Sequence, residues 1–458
     1  MRWEVFAPGV FAIVPDAGLP LLYAPLQGLV LEANAAYVDA FRRALGGDPD
    51  AAREIGLPLD ELVRFSDVPG AMAALLDPAW PTEFAPTSVT LFLTHKCTLR
   101  CAYCYCEGGV GRDMPWPVLE RAVRFTLENA ARAGRELRVA FHGGDVGACW
   151  PLFVRAVAFI EDLAVDAGVR HRFSIGTNGY YTAEQAAFIA AHIRDATVSI
   201  DGIPAVHDAC RVTPGDGPSL ERTLGSVRIF ERDGLGYAIR MTVTAGSVAS
   251  LPESVAFLCE HTQAHTIRAE PMYVRGRAIA SALMPPDPEV FLAAYRTASD
   301  VARRYGRRLT YSGARIQAGS TAFCSYPRPT FGVTPDGDLT CCYEVLHPED
   351  PLRELFFYGH VEPDGSEIVV DAGRVAAIRA MSARRRAECA GCFCVHACAG
   401  DCAAKTAGEC AEVEDAGHSR ARCEITRALV LDLLRDALAG GRGAADGEPP
   451  TRLTREDA

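Results

Sequence analysis

Apolar and polar positions divide the chain into stretches of different rhythm. Over residues 86–280, short apolar runs alternate with longer segments whose apolar residues recur every three or four positions. Strands are predicted at Val89–Leu93, Leu137–Phe141, Arg172–Gly176, Ala196–Ile200, Tyr237–Thr244 and Thr266–Pro271. Between them, Pro117–Ala133, Pro151–Ala167, Ala183–Arg194, Ser219–Asp233 and Leu251–His261 predict helices. Such alternation implies parallel strands joined by right-handed crossovers. These units fit a full or partial β/α barrel. The competing arrangement is a doubly wound sheet, which binds ligand at a switch point. In both, chemistry belongs just beyond the strand C-termini.

The flanks read differently. Residues 1–85 carry short strand-like runs (Val10–Val14, Leu21–Tyr23, Gly28–Leu31) and a helix-like stretch, Ala35–Leu45, before Pro78, Pro81 and Pro86 mark a linker. Residues 281–320 form a second linker with a helical pattern at Pro288–Tyr305. Residues 321–438 are rich in cysteine and end in an apolar helix, Cys423–Leu438. Residues 439–458 are dominated by Gly, Pro and charge and are expected to be disordered.

Composition narrows the class. The chain has 458 residues, 49% hydrophobic and 23% charged, which supplies large cores and excludes a disordered or collagen-like chain. The net charge of −12 argues against nucleic acid or an anionic membrane as the main partner. The N-terminus shows no basic segment followed by a long apolar run, and no apolar stretch approaches a membrane span. A cytoplasmic protein is expected. Seventeen cysteines are present, ten of them between Cys324 and Cys423, and in a reducing compartment such clustering points to metal. Of 46 lysines and arginines only Lys96 and Lys405 are lysine, a scarcity read as genomic base bias.

The first predicted strand runs into Cys97, Cys101 and Cys104, spaced C-x3-C-x2-C. Three thiolates on one loop can hold three corners of a four-iron cluster and leave one iron open; zinc is the competing reading, but zinc sites favour C-x2-C pairs. With Tyr103 as the aromatic of C-x3-C-x-aromatic-C, the loop resembles that of the radical SAM superfamily. The likeness continues at successive strand ends. His142-Gly143-Gly144-Asp145-Val146 resembles the family's Gly-Gly-Glu-Pro segment, with Asp for Glu and Val for Pro. Thr177-Asn178-Gly179 resembles its Thr-Asn-Gly turn, and Ser199-Ile200-Asp201-Gly202 its Ser-x-Asp-Gly. His207, Asp208 and Arg211 match a subfamily His-Asp-x-x-Arg.

The resemblance implies a partial (β/α)6 TIM-like barrel over 86–280. It also implies one catalytic [4Fe-4S] cluster on Cys97, Cys101 and Cys104, and S-adenosylmethionine held near Tyr103, Gly143, Gly144, Asp145, Asn178, Ser199 and Asp201, with Arg222 on its carboxylate. A flavodoxin- or ferredoxin-type reductant is implied as electron donor. No catalytic acid or base is assigned, and His142 and His207 are read as structural.

The ordered set Cys324, Gly337, Cys342, Cys389, Cys392, Cys398, Cys402 and Cys423 resembles the SPASM domain of radical SAM enzymes acting on peptides and proteins. It implies two auxiliary [4Fe-4S] clusters, one on Cys389, Cys392, Cys398 and Cys423, the other on Cys324, Cys342 and Cys402. The fourth ligand of the second stays open between Cys341, Cys394 and substrate; Cys410 rivals Cys423, and a zinc ribbon is the competing reading. Cys149, Cys210 and Cys259 are expected to be buried, and Cys106 is unassigned.

Within this family two substrates compete. Sulfatase-maturating enzymes carry an Asp directly after a cluster cysteine, whereas here Tyr343 follows Cys342 and Glu344 is displaced. Residues 1–85 look like either a barrel-capping extension or a domain that binds a precursor peptide by strand addition. The expected function is therefore a maturase of ribosomally made peptides, forming a C–C, thioether or other carbon–heteroatom crosslink. Formylglycine formation, peptide epimerisation and a non-catalytic iron–sulfur carrier are the alternatives.

Overall fold

The computed structural model describes residues 1–7, 9–56, 83–105, 111–316, 322–327, 331–410, 419–440 and 451–452. Cys106, the side chain of Cys410, Pro78, Pro81 and most of the tail lie outside the described residues.

The N-terminal sheet is antiparallel: β1 (Arg2–Ala7), β2 (Val10–Val14), β3 (Leu21–Ala24) and β4 (Leu29–Glu32) pair in chain order. Asn34 starts the helix Ala35–Leu45 by accepting from the Tyr37 N–H at 2.8 Å. Val38, Phe41 and Ala44 of that helix pack with Val10, Ala12, Leu22 and Ala24. The opposite face, Phe11, Ile13, Leu21, Tyr23 and Val30, packs on Phe393, Val430 and Leu434 from the cysteine-rich region. Burial on both faces is why these strands read as unbroken apolar runs. β1 escaped the sequence reading because it is exposed or half-buried along its length and shows no clean alternation. Two residues of the tail, expected to be disordered, are placed: Thr451–Arg452 pair antiparallel with β4.

The second sheet carries the α/β architecture. β5 (Ser88–Leu91), β6 (Leu137–Phe141), β7 (His171–Thr177), β8 (Asp195–Ser199), β9 (Gly236–Val243) and β10 (Thr266–Pro271) lie side by side in chain order, all parallel. The helices Trp116–Arg132, Trp150–Asp166, Ala183–His192, Leu220–Arg232 and Leu251–His261 fall between them. All these elements end within two residues of their predicted bounds. Order without reversal excludes the doubly wound alternative. β11 (Arg308–Thr310) adds a parallel strand beside β10 and ends the sheet there, so the barrel is partial.

The cysteine-rich region continues the same sheet. β12 (Phe331–Val333) pairs parallel with β5, followed by antiparallel β13 (Asp338–Thr340), β14 (Phe357–Val361) and β15 (Ile368–Val370).

Alternation along the barrel strands sorts two environments. Val89, Leu91, Val139, Phe141, Phe173, Val198, Ile239 and Ile267 are buried in one large core. The intervening Ala140, Ser174, Gly176, Thr197, Ser199, Arg240, Thr242 and Glu270 line a cavity of about 480 Å³. Where a closed barrel fills its interior with branched apolar side chains, this one places small and polar residues and stays hollow.

Candidate active site

The loop after β5 is fixed before any cofactor is considered. Thr94 bridges to Asp113, donating from Oγ1 to its carboxylate at 2.6 Å, and the Lys96 ammonium holds the other oxygen at 2.9 Å. Arg100 and Ala102 donate their N–H groups to the Val212 and Cys210 carbonyls. Held this way, Cys97, Cys101 and Cys104 all line the cavity. Burial raises the Cys97 thiol and pushes Cys101 up to about 11. Asn178 Nδ2 lies 3.5 Å from Cys97 Sγ, and Arg211 Nη1 lies 3.9 Å from Cys101 Sγ. Donors aimed at ligand sulfurs are what an iron–sulfur cluster uses to set its charge balance. Among the described residues no three His, Cys, Asp or Glu side chains converge on a single ion. Three thiols along one wall suit a multinuclear cluster, in which each thiolate meets its own iron.

The strand-end motifs surround the same cavity, and several of their side chains work on the protein itself. A Cβ on Gly144 would sit 2.0 Å from the Lys96 carbonyl oxygen, so only glycine lets this turn close on the cysteine loop. Gly144 and Asp145 donate their N–H groups to the Thr94 and Lys96 carbonyls at 3.1 and 3.0 Å. Gly143 also lines the cavity, with φ +105°. Asp145, expected to hold cofactor, lines the cavity, and its carboxylate also accepts from the Gly147 N–H, Thr177 Oγ1 and the Asn178 N–H. It thus ties the end of β6 to that of β7, and its burial raises its pKa. Asn178 reaches back to the loop, donating to Thr98 Oγ1 at 2.9 Å.

Asp201 is 3% exposed and accepts from Arg211 Nε at 2.9 Å, Arg211 Nη2 at 3.2 Å and the Thr242 N–H at 2.9 Å. The Tyr103 hydroxyl also donates to it, and the Arg211 guanidinium lies over the Tyr103 ring. Ser199, the last residue of β8, faces the cavity. The His-Asp-x-x-Arg motif proves to be a clasp. His207 bonds Ser219 Oγ at 3.0 Å, and Asp208 accepts from the Ser219 and Leu220 N–H groups. Burial pushes both His207 and His142 down to about 4, which keeps them neutral at neutral pH.

Arg222 does not sit where expected. It is absent from the cavity lining, donating to the Tyr181 carbonyl at 2.9 Å and stacking on the Tyr180 ring. The arginines that do line the cavity are Arg211, Arg240 and Arg268. The sequence reading also missed the wall above β10. Glu270 is 3% exposed and bonds the Ser312 N–H and Oγ, both at 2.9 Å. Tyr273 donates to Glu344 at 2.7 Å, and buried Lys405 stands between Glu270 and Glu344 at 3.8 and 4.0 Å. The rarity of lysine was the available signal.

The C-terminal cysteines form two groups. Cys389, Cys392, Cys398 and Cys423 surround one small cavity, with Cys394 beside them. Hydrogen bonds from Cys394, aided by Arg427, pull the Cys392 thiol down to about 6. Cys324, Cys342 and Cys402 influence one another electrostatically, and Glu344 acts on both Cys342 and Cys402. Between Cys398 and Cys402 the residues Ala399, Gly400 and Asp401 all take positive φ, and buried Asp401 binds Arg422 through two bonds of 2.6 and 2.8 Å. Cys341 donates to the Phe356 carbonyl, and Cys394 sides with the first group. Cys149, Cys210 and Cys259 are buried.

Residues 91–246 match the model of the Radical SAM superfamily. The chain carries a radical SAM domain, and members of this family bind S-adenosylmethionine and a [4Fe-4S] cluster. Among curated proteins, it is 31% identical over 173 residues to pre-heme d1 synthase of Dinoroseobacter shibae, covering 37% of this chain and 39% of that one. It is 22% identical over 267 residues to the sporulation killing factor maturation protein SkfB of Bacillus subtilis, covering 57% and 61%. The chain thus spans about two fifths to three fifths of these relatives. In fold it is similar to anSMEcpe solved with AdoMet and the Cp18Cys peptide (TM-score 0.59, 16% identity, 77% of this chain and 99% of that one). It is also similar to Streptococcus suis SuiB (TM-score 0.51, 14% identity, 88% and 96%). Among the described residues no helix is long and apolar enough to cross a membrane.

Proposed function

We propose that this protein is a peptide-modifying radical SAM enzyme that crosslinks a ribosomally made precursor. The observation carrying this reading is the single cavity that gathers the three loop cysteines and the ends of consecutive barrel strands. SkfB, named as a maturation protein, and the peptide-bound anSMEcpe support a peptide as substrate.

When bound, the cluster and S-adenosylmethionine supply reductive cleavage of the sulfonium and a 5′-deoxyadenosyl radical that takes hydrogen from substrate. The chain's part is placement. Cys97, Cys101 and Cys104 would hold the catalytic cluster, with Asn178 and Arg211 donating to the Cys97 and Cys101 sulfurs. The Gly143–Gly144 turn and Ser199 shape the cofactor bed, and Asp145, Asp201 and Tyr103 brace it. Cys389, Cys392, Cys398 and Cys423 would hold one auxiliary cluster and Cys324, Cys342 and Cys402 the other, and such clusters would accept the one electron left when the substrate radical closes to the crosslink and sheds a proton to solvent. Residues 1–85 bind the precursor's leader, 86–280 form the catalytic barrel, and 321–438 the auxiliary domain. A flavodoxin or ferredoxin supplies the electron in the cytoplasm.

The test is anaerobic reaction of the reconstituted protein with dithionite, S-adenosylmethionine and the short peptide encoded beside its gene. The expected product is lighter than the precursor by two hydrogens, with 5′-deoxyadenosine formed. An unchanged peptide mass without 5′-deoxyadenosine sinks the reading. The protein should bind about twelve irons, three cubanes' worth, and Cys97→Ala, Cys101→Ala or Cys104→Ala should lower this to about eight and abolish cofactor cleavage.

A further inference from the structure

Lys405 is one of only two lysines in the chain, and it is 4% exposed. It reaches the cavity from the cysteine-rich region, over the end of β10, five strands along the sheet from the cysteine loop's β5. Its ammonium stands 3.8 Å from Glu270, 4.0 Å from Glu344 and 5.0 Å from the centre of the Tyr273 ring. Both carboxylate separations exceed hydrogen-bond length. The carboxylates are meanwhile held elsewhere, Glu270 by Ser312 and Glu344 by Tyr273. An ammonium has three donors, and with both carboxylates beyond bonding distance those of Lys405 are left to whatever occupies the cavity.

Charge narrows what completes the wall. At this wall Glu270 and Glu344 offset Lys405 and Arg240, both of which they act on electrostatically, so a further formal charge gains little. A group that both accepts and donates fits better, because it takes a bond from the ammonium and returns one to a carboxylate. Residue choice agrees: a planar guanidinium presents a wide fork, whereas the compact ammonium fits between two acidic groups.

We propose that Lys405, with Glu270 and Glu344, forms a substrate-positioning subsite for a neutral peptide or carboxamide group, its carbonyl accepting from the ammonium and its N–H donating to a carboxylate. This rests on the peptide reading above and specifies which wall of the cavity grips the chain to be modified.

The test uses full-length reconstituted protein grown on lysine labelled with 15N at the ammonium, which yields two side-chain signals. Lys405→Met assigns them by loss of one; should that variant fail to fold, Lys96→Arg assigns them by elimination. The probe is N-acetylglycine N-methylamide, a blocked peptide unit, with acetate as the charged control. The expected result is a saturable shift of the Lys405 signal with the blocked glycine, while the Lys96 signal stays in place. No saturable shift of Lys405 overturns the subsite, and so does an equal or stronger response to acetate, which marks a general anion site. The readout needs no turnover. Lack of 5′-deoxyadenosine from the wild type would refute the radical reading separately from this one.

Discussion

Single residues here carry roles that their motifs alone did not specify. Gly144 is expected from its motif to meet cofactor, and its lack of a side chain is also a packing requirement, since a Cβ would meet the Lys96 carbonyl at 2.0 Å. Backbone on both sides leaves nothing flexible to yield. Gly144→Ala should therefore cost about 1–3 kcal/mol and displace the cysteine loop. A lowered Tm together with poor iron loading is expected; normal Tm and full iron content would contradict it. Asp145 shows the same shift of meaning, because three donors within the protein already occupy its carboxylate. Lys405 shows the reverse. Lysine scarcity looked like base composition, but one of the two lysines lies buried in the cavity wall and the other pins the cysteine loop through Asp113.

Between elements, the segment Pro204–Cys210 acts as a fastener. His207 and Asp208 grip the start of the helix Leu220–Arg232, and Arg211 grips Asp201 beside the cysteine loop. Ser219 precedes that helix without capping it by its own side chain, so Asp208 supplies the acceptor instead. Asp208→Ala should lose about 1–2 kcal/mol, seen as a lower urea midpoint, while Asp208→Asn keeps an acceptor and should lose less. Equal losses would show that the bonds to Ser219 and Leu220 contribute little. The barrel elements themselves were legible because each helix buries one stripe and each strand alternates core with cavity. Less legible were β1, with both faces partly in water, and the three-residue strands β11, β12, β13 and β15, which are too short to show a period.

Across the whole molecule, the cysteine-rich region is part of the barrel's construction. β12 pairs with β5, and Phe331 and Val333 are fully buried in the core that the barrel strands share. The rings of Phe84 and Phe125 pack on Phe331, and Tyr358 packs on Phe84. A chain ending at Gly319 would expose that edge and its apolar face. It should be aggregated or lack near-UV circular dichroism, whereas a monomer with a cooperative unfolding transition would show the barrel folds alone. The N-terminal sheet is tied in likewise, through Trp3, which donates to the Gly391 carbonyl at 2.8 Å and packs on Phe393, between Cys392 and Cys394 in the chain.

The sequence by itself determined the alternating strands and helices of a parallel sheet, the cysteine loop and the motif at each strand end, because periodicity and short spacings are local properties. It also listed the C-terminal cysteines in order. Only the tertiary structure decided the strand order that excludes a doubly wound sheet, the turning of Arg222 onto Tyr180 and Tyr181, and the meeting of Glu270, Tyr273, Glu344 and Lys405. The last group spans 135 positions from Glu270 to Lys405. Contacts at such separation depend on how strands and loops close in space, and no local pattern along the chain encodes them.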